Sequence, residues 1–290
     1  MPAGHGPSGG NGSPAVNGTP QGGLTRVDPV SSKERRSAVP AGVSAALAGV
    51  TAVSLDVYGT LLDLDAVSEV TITSVCDLVG APPDLRIWRQ VSSDIFDQMQ
   101  RMEFGEASEP PSSEFRPVRR MFEEAYRRVL PRFGLAKLID PAQAAFIVTE
   151  AHAKLPPYPD VLPAVRRLAE RFALCAASDA DEAFLHRALE HAGLAPYLGA
   201  RVSSETVGAY KIDPGGRFFG AVLAALGREA EAVVHVGDGQ SDIIGAKRSG
   251  LVAVWLNRGG RAWGRTDVAP DAVVGDLEEL ADLLLSPATP

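Results

Sequence analysis

Five polar residues stand where apolar runs of this 290-residue chain stop. Asp56 ends the run T-A-V-S-L-D-V (51–57) and opens D-V-Y-G-T-L. Ser178 ends F-A-L-C-A-A-S (172–178). Lys211 lies in V-G-A-Y-K-I-D-P, a short loop after A-R-V-S-S (200–204), and Asp238 and Asp242 lie in H-V-G-D-G-Q-S-D. An aspartate, with a reference pKa of about 3.9, is ionised at neutral pH. It can attack phosphorus or carbon without a separate base and form a covalent intermediate. Serine and threonine hydroxyls, here Ser178 and Thr60, can donate to the attacked group, and a lysine offers charge to its oxygens. Gly59 lets the backbone approach closely. Three carboxylates sharing one pocket raise each other's pKa, and one lysine cannot neutralise three. A hard cation such as Mg²⁺ takes carboxylates, waters and phosphate oxygens. Each residue alone has an ordinary explanation: a helix cap for Asp56 or Asp242, a turn for Ser178, a solvated surface for Lys211. Their types, order and positions together fit one site.

The elements that must position them follow from hydrophobic patterning. The runs at 51–57, 172–178, 200–204, 232–237 and 251–256 show little polar alternation, as expected of strands buried on both faces of a parallel sheet. Helical patterns lie between them. One carries Val161, Val165 and Leu168, with Asp160 as its expected cap and Pro163 in its first turn. Others cover about Asp181–Ala192, Phe218–Leu226 and Asp242–Ser249, each followed by glycine. This alternation predicts an α/β fold with a doubly wound parallel sheet. All strand ends carrying the polar residues then point the same way.

Residues 66–155 break the alternation and hold helical periodicity only. Ile87, Val91, Ile95 and Met99 form one stripe; Phe115, Val118, Phe122, Tyr126, Val129 and Phe133 form another. These read as the seam of a small helical bundle. An insert placed directly after the first strand sits over the ligand-binding ends of the sheet. The expected organisation is a disordered tail over 1–45, an α/β core from 46–65 and 156–290, and a helical cap over 66–155. The tail is rich in Gly, Pro, Ser, Ala and Asn and has too little apolar surface to offset its ordering entropy.

The motif set resembles the haloacid dehalogenase superfamily of hydrolases, over about residues 50–275. The resemblance implies a Rossmann-like core with an inserted helical cap. It implies that Asp56 is the nucleophile and that Ser178 and Lys211 hold the transferred group, with Gly59, Thr60 and Asp179 close to the substrate. It implies Mg²⁺ held by the side chains of Asp56 and Asp238, with the Tyr58 backbone carbonyl and Asp242 nearby. Asp242 could instead orient Lys211 or a metal-bound water.

Tyr58 departs from the usual pattern. Most phosphatases of this superfamily place a second Asp there, which protonates the leaving alkoxide. A phenol with a pKa of about 10 suits that task poorly. The sequence is similar to 2-haloacid dehalogenases in D-x-Y-G-T, and I-W-R-Q (87–90) resembles their cap segment, with Arg89 as the residue that would clamp a substrate carboxylate. A halide leaving group needs no proton. Those dehalogenases lack the acidic G-D pair and work without metal, whereas this chain keeps Asp238 and adds Asp179. The expectation is a Mg²⁺-dependent hydrolase, a phosphatase acting on a small phosphorylated metabolite through an aspartyl-phosphate. The alternatives are a 2-haloacid dehalogenase acting through an aspartyl-ester, and a non-catalytic member that binds a phosphorylated ligand or a partner protein.

Net charge of −8 argues against a general polyanion binder, so no nucleic-acid partner is expected. Cys76 and Cys175 are far apart in apolar surroundings and read as buried thiols. No apolar run approaches the length of a membrane span. A cytoplasmic protein, monomer or homodimer, is expected.

Overall fold

The computed structural model describes residues 47–64, 66–67, 71, 73–74, 87, 90–95, 97, 115–265 and 267–286. The expected tail, Met99, Cys76 and Arg89 lie outside them. Six strands form one sheet: β1 (Ala52–Leu55), β2 (Ala173–Ser178), β3 (Ala200–Ser203), β4 (Val233–Gly237), β5 (Val252–Leu256) and β6 (Ala272–Val274). The order is β3-β2-β1-β4-β5-β6, and every pairing is parallel. The chain winds outward from β1 in both directions, as in a doubly wound sheet, so the switch point lies between β1 and β4. Asp56 and Asp238 follow those two strands.

Alternation along the strands feeds two apolar layers. On one face Val53, Leu55, Leu174, Ala176, Val234 and Val236 pack with Val165 and Leu168 of α3 (Val161–Ala169), Leu185 of α4 (Glu182–His191) and Leu280 of α7 (Leu277–Leu285). On the other, Ala52, Cys175, Val233 and Trp255 pack with Phe218 and Phe219 of α5 (Arg217–Leu226) and Ile243 of α6 (Gln240–Arg248). Burying a side chain of this size contributes about 1.5–3 kcal/mol. The Cys175 thiol is free, and burial pushes its pKa up to about 12.

A third apolar cluster belongs to the helical segment. Met121, Phe122, Tyr126 and Val129 of α1 (Val118–Val129) meet Ala144, Ala145 and Val148 of α2 (Pro141–His152), with Val91 and Ile95 beside them. The three-four spacing read in the sequence is therefore the seam of this bundle. No helix of the described residues is long and apolar enough to cross a membrane.

One expectation needs correction. Asp160 precedes α3 but caps nothing in it, because its backbone is already helical (φ −78°, ψ −16°). Its carboxylate pairs with Arg258 and accepts the Leu277 N–H at the start of α7. The short edge strand β6 and α7 escaped the sequence reading.

Candidate active site

Asp56 is the first residue past β1, and its N–H still donates to the Val236 carbonyl (2.9 Å), which fixes its backbone to β4. The chain then turns sharply: Leu61 and Leu62 N–H both donate to Val57 O, and Gly59 N–H donates to Leu62 O. Gly59 takes φ 86°, and a Cβ there would lie 2.9 Å from Asp238 Oδ2. Only glycine lets this turn close against the acid of the next strand. Arg258 Nη2 holds the Thr60 carbonyl at 2.8 Å, tying the turn to the end of β5.

Lys211 is buried between acids. Its Nζ donates to Asp56 Oδ1 and, at 2.7 Å, to Asp242 Oδ1. Its backbone N–H donates to Asp179 Oδ1 at 3.0 Å. Asp179 thus anchors the lysine loop. Asp242 Oδ2 accepts the Gly239 N–H (3.0 Å) at the start of α6, and Oδ1 also meets His235 Nε2 (3.0 Å). The carboxylate fills the space where a Cβ on Gly237 would stand, 2.1 Å from Asp242 Cγ, so the G-D pair needs its glycine. Asp238 is half-buried; its carbonyl accepts from Trp255 Nε1 (3.1 Å) and Arg261 Nη2 (3.2 Å).

Ser178 is buried at the tip of β2, in register with Ser203. Thr60 is buried too. Its Oγ1, together with Asp56 Oδ2, has no hydrogen-bond partner among the described residues. The Thr60 hydroxyl nevertheless stands close enough to Asp56 to help hold its charge, so both atoms face the same spot beside the acid. Tyr58 behaves differently. Its ring packs against His152 of α2 and Phe184 of α4, with centroids 5.4 and 6.1 Å away. Its buried hydroxyl has no partner among the described residues, and burial, then Asp56, raises its pKa far above the phenol range.

The charges are unequal. Burial pushes the Asp56 carboxyl up against the pull of Lys211. Burial, then Asp56 and Asp242, pushes Asp238 up to about 7. Asp179 also rises to about 7 through burial. Burial opposes ionisation of Asp242 as well, but Lys211 and His235 prevail and hold it well below the usual carboxylate range. Lys211 stays protonated: burial works against its charge, but Asp242, Asp56 and Asp179 outweigh it. Asp56, Asp238 and Asp242 offer ligand atoms within 4.8 Å of one another. This donor set, with an unpartnered Asp56 oxygen, fits a hard divalent cation. The Tyr58 carbonyl accepts no hydrogen bond from the described residues.

Of the strand-end residues read from the sequence, Asp56, Lys211, Asp238 and Asp242 stand together, and Ser178 lies at the tip of the neighbouring strand β2. Three supporting residues escaped that reading: His235 and Trp255, hidden inside apolar strands, and Arg258, two residues past β5.

The haloacid dehalogenase-like hydrolase family matches residues 50–250. The (S)-2-haloacid dehalogenase H-109 of Pseudomonas putida is 24% identical over 81% of this chain and 98% of its own. The phosphoserine phosphatase of Thermus thermophilus is 41% identical, over a local stretch covering 31% of this chain and 35% of that one. Among solved structures, the magnesium-bound HAD-hydrolase candidate YfnB of Bacillus subtilis shares the fold with a TM-score of 0.70, at 19% identity, over 82% of this chain and 99% of its own. With a parallel sheet of order β3-β2-β1-β4-β5-β6 and a family match over most of its length, the chain belongs to the haloacid dehalogenase-like hydrolases.

Proposed function

We propose that this hydrolase is a Mg²⁺-dependent phosphatase that attacks a small phosphorylated metabolite with Asp56. One observation carries the reading: Asp56, Asp238 and Asp242 offer oxygens within 4.8 Å of one another, Lys211 pairs with two of them, and Asp56 Oδ2 has no hydrogen-bond partner among the described residues. Asp56, Asp238 and the Tyr58 carbonyl would hold the metal, and Asp242 would keep Lys211 in place. Bound there, Mg²⁺ would offset the excess negative charge and polarise the phosphoryl oxygens.

Asp56 forms the new O–P bond, and the bond from phosphorus to the leaving oxygen breaks. Lys211, Ser178 and Thr60 donate to the phosphoryl oxygens. Water then attacks phosphorus, releasing phosphate and restoring Asp56. The Tyr58 hydroxyl is set aside in an aromatic cluster and supplies no proton, so the reading favours substrates whose leaving group departs with little protonation. Residues 66–155 would act as the cap that selects the substrate over a core of 46–65 and 156–290.

A second reading, a 2-haloacid dehalogenase, is supported by the full-length similarity to such an enzyme and by Tyr58 itself. A halide departs without a proton, and Arg89 would hold the substrate carboxylate. The two separate in one experiment. Phosphate release from p-nitrophenyl phosphate and a metabolite panel, abolished by EDTA, is expected. Chloride release from 2-chloropropionate in EDTA, with no phosphatase activity, would overturn the first reading in favour of the second.

A further inference from the structure

His235 sits within β4, in V-V-H-V-G, fully buried on the face that packs against α5 and α6. An imidazole there costs free energy unless its nitrogens are satisfied. Both are. Nδ1 lies 2.9 Å from the hydroxyl of Ser54, its register partner on β1, and Nε2 lies 3.0 Å from Asp242 Oδ1. The ring packs edge-on against Phe219, with centroids 4.8 Å apart. A chain of contacts thus runs from Ser54 through His235, Asp242 and Lys211 to Asp56.

We propose that His235 is a positioning residue: it fixes the Asp242 carboxylate so that Asp242 in turn holds the Lys211 ammonium beside Asp56. The donor directions follow from the inventory of groups. A carboxylate only accepts, so Nε2 carries the ring proton and donates to Asp242; Nδ1 is then the acceptor, and the Ser54 hydroxyl donates to it. Lys211 donates to both carboxylates. Without the imidazole N–H, Asp242 keeps Lys211 and the Gly239 N–H but loses the contact that sets the rotation of its carboxylate from below. The inference rests on Asp56 acting as nucleophile with Lys211 beside it, which the phosphatase and dehalogenase readings share.

The test uses the full-length chain. Histidine-selective ¹⁵N labelling reads the ring tautomer without any turnover; the Nε2–H form is expected for His235, and the Nδ1–H form would overturn the proposal. His235→Phe keeps ring packing and deletes both hydrogen bonds. Measured by whichever release the wild type supports, it should lower kcat about 10- to 100-fold, the size of one hydrogen bond to a charged group, with KM within about 2-fold. His235→Gln, which can present an amide N–H near the Nε2 position, should recover most of the loss. An unchanged kcat in the Phe variant, or a folded Gln variant no faster than a folded Phe variant, would overturn the positioning role. If the Phe variant does not fold, Ser54→Ala decides: the Nε2–H tautomer, still held by Asp242, should persist with a smaller fall in kcat, and a switch to Nδ1–H or an unchanged kcat refutes the chain. A wild type that turns over neither substrate class defeats the functional reading, and the tautomer alone then supports or overturns the hydrogen-bond assignment.

Discussion

Replacing Asp238 by asparagine tests whether the acid cluster is built to receive a cation. In the metal-free protein, burial first, then Asp56 and Asp242, hold the Asp238 carboxyl at about 7, against about 3.9 in an unfolded chain. The folded state therefore binds this proton more tightly than the unfolded state. The stability from this group is full below about pH 4 and is lost as pH rises through about 7. Taken at face value the difference corresponds to about 4 kcal/mol above pH 7. The side chain is 32% exposed, so solvent screening reduces the expected effect to about 1–2 kcal/mol. Asparagine keeps the shape and removes the charge. The described residues donate no hydrogen bond to this carboxylate, and the nearest cation, Arg261, stands 3.8 Å away. In EDTA at pH 8, Asp238→Asn should melt about 2–8 °C above the wild type, with a smaller gain at pH 5. Adding Mg²⁺ should raise the melting temperature of the wild type by mass action and leave the variant unmoved. Calorimetric melts at both pH values, with and without metal, measure this. A variant that melts below the wild type in EDTA at pH 8, or that keeps the Mg²⁺ shift, would refute the reasoning.

Three other substitutions separate structural from chemical roles. Tyr58→Phe removes a buried hydroxyl that has no partner among the described residues; kcat should stay within about 2-fold and stability should hold or rise by about 1 kcal/mol, whereas a fall in kcat beyond about 10-fold would make the phenol a catalytic group. Gly59→Ala must adopt φ 86° and bring Cβ to 2.9 Å from Asp238; a loss of about 1–3 kcal/mol in denaturant melts and at least about a 10-fold loss of turnover are expected, and unchanged turnover would contradict the tight turn. Asp181 accepts the N–H groups of Val118 (2.6 Å) and Arg119 (3.0 Å) at the start of α1; Asp181→Ala should cost about 1 kcal/mol and speed amide exchange at those two residues, and unaltered exchange there would reject the cap.

Continuous Val-, Ala- and Leu-rich runs made the buried parallel strands legible, and a polar residue at the tip of such a run points to the ligand-binding edge of the sheet. Asp56, Ser178, Lys211, Asp238 and Asp242 were readable for that reason. The residues that hold them were not. His235 disappears into an apolar strand, and its role depends on a cross-strand register that pairs it with Ser54. Asp160, expected to cap α3, serves α7 instead, and Asp181, beside the start of α4, serves α1 of the helical segment. Asp179, expected close to the substrate, has its carboxylate spent on the Lys211 N–H. Sequence neighbours fix secondary structure; these contacts join residues far apart along the chain. The strand β6 was missed because three residues between Asp271 and Gly275 give too short a pattern.

The fate of the water oxygen decides whether Asp56 carries a phosphoryl group during turnover. Turnover in ¹⁸O-labelled water, followed by mass analysis of the product and of the peptide carrying Asp56, distinguishes attack on phosphorus from attack on the Asp56 carbonyl carbon. The account predicts label in the released phosphate, an unlabelled Asp56, and no turnover in EDTA. Label entering the Asp56 carboxylate as halide is released from 2-chloropropionate in EDTA would contradict it.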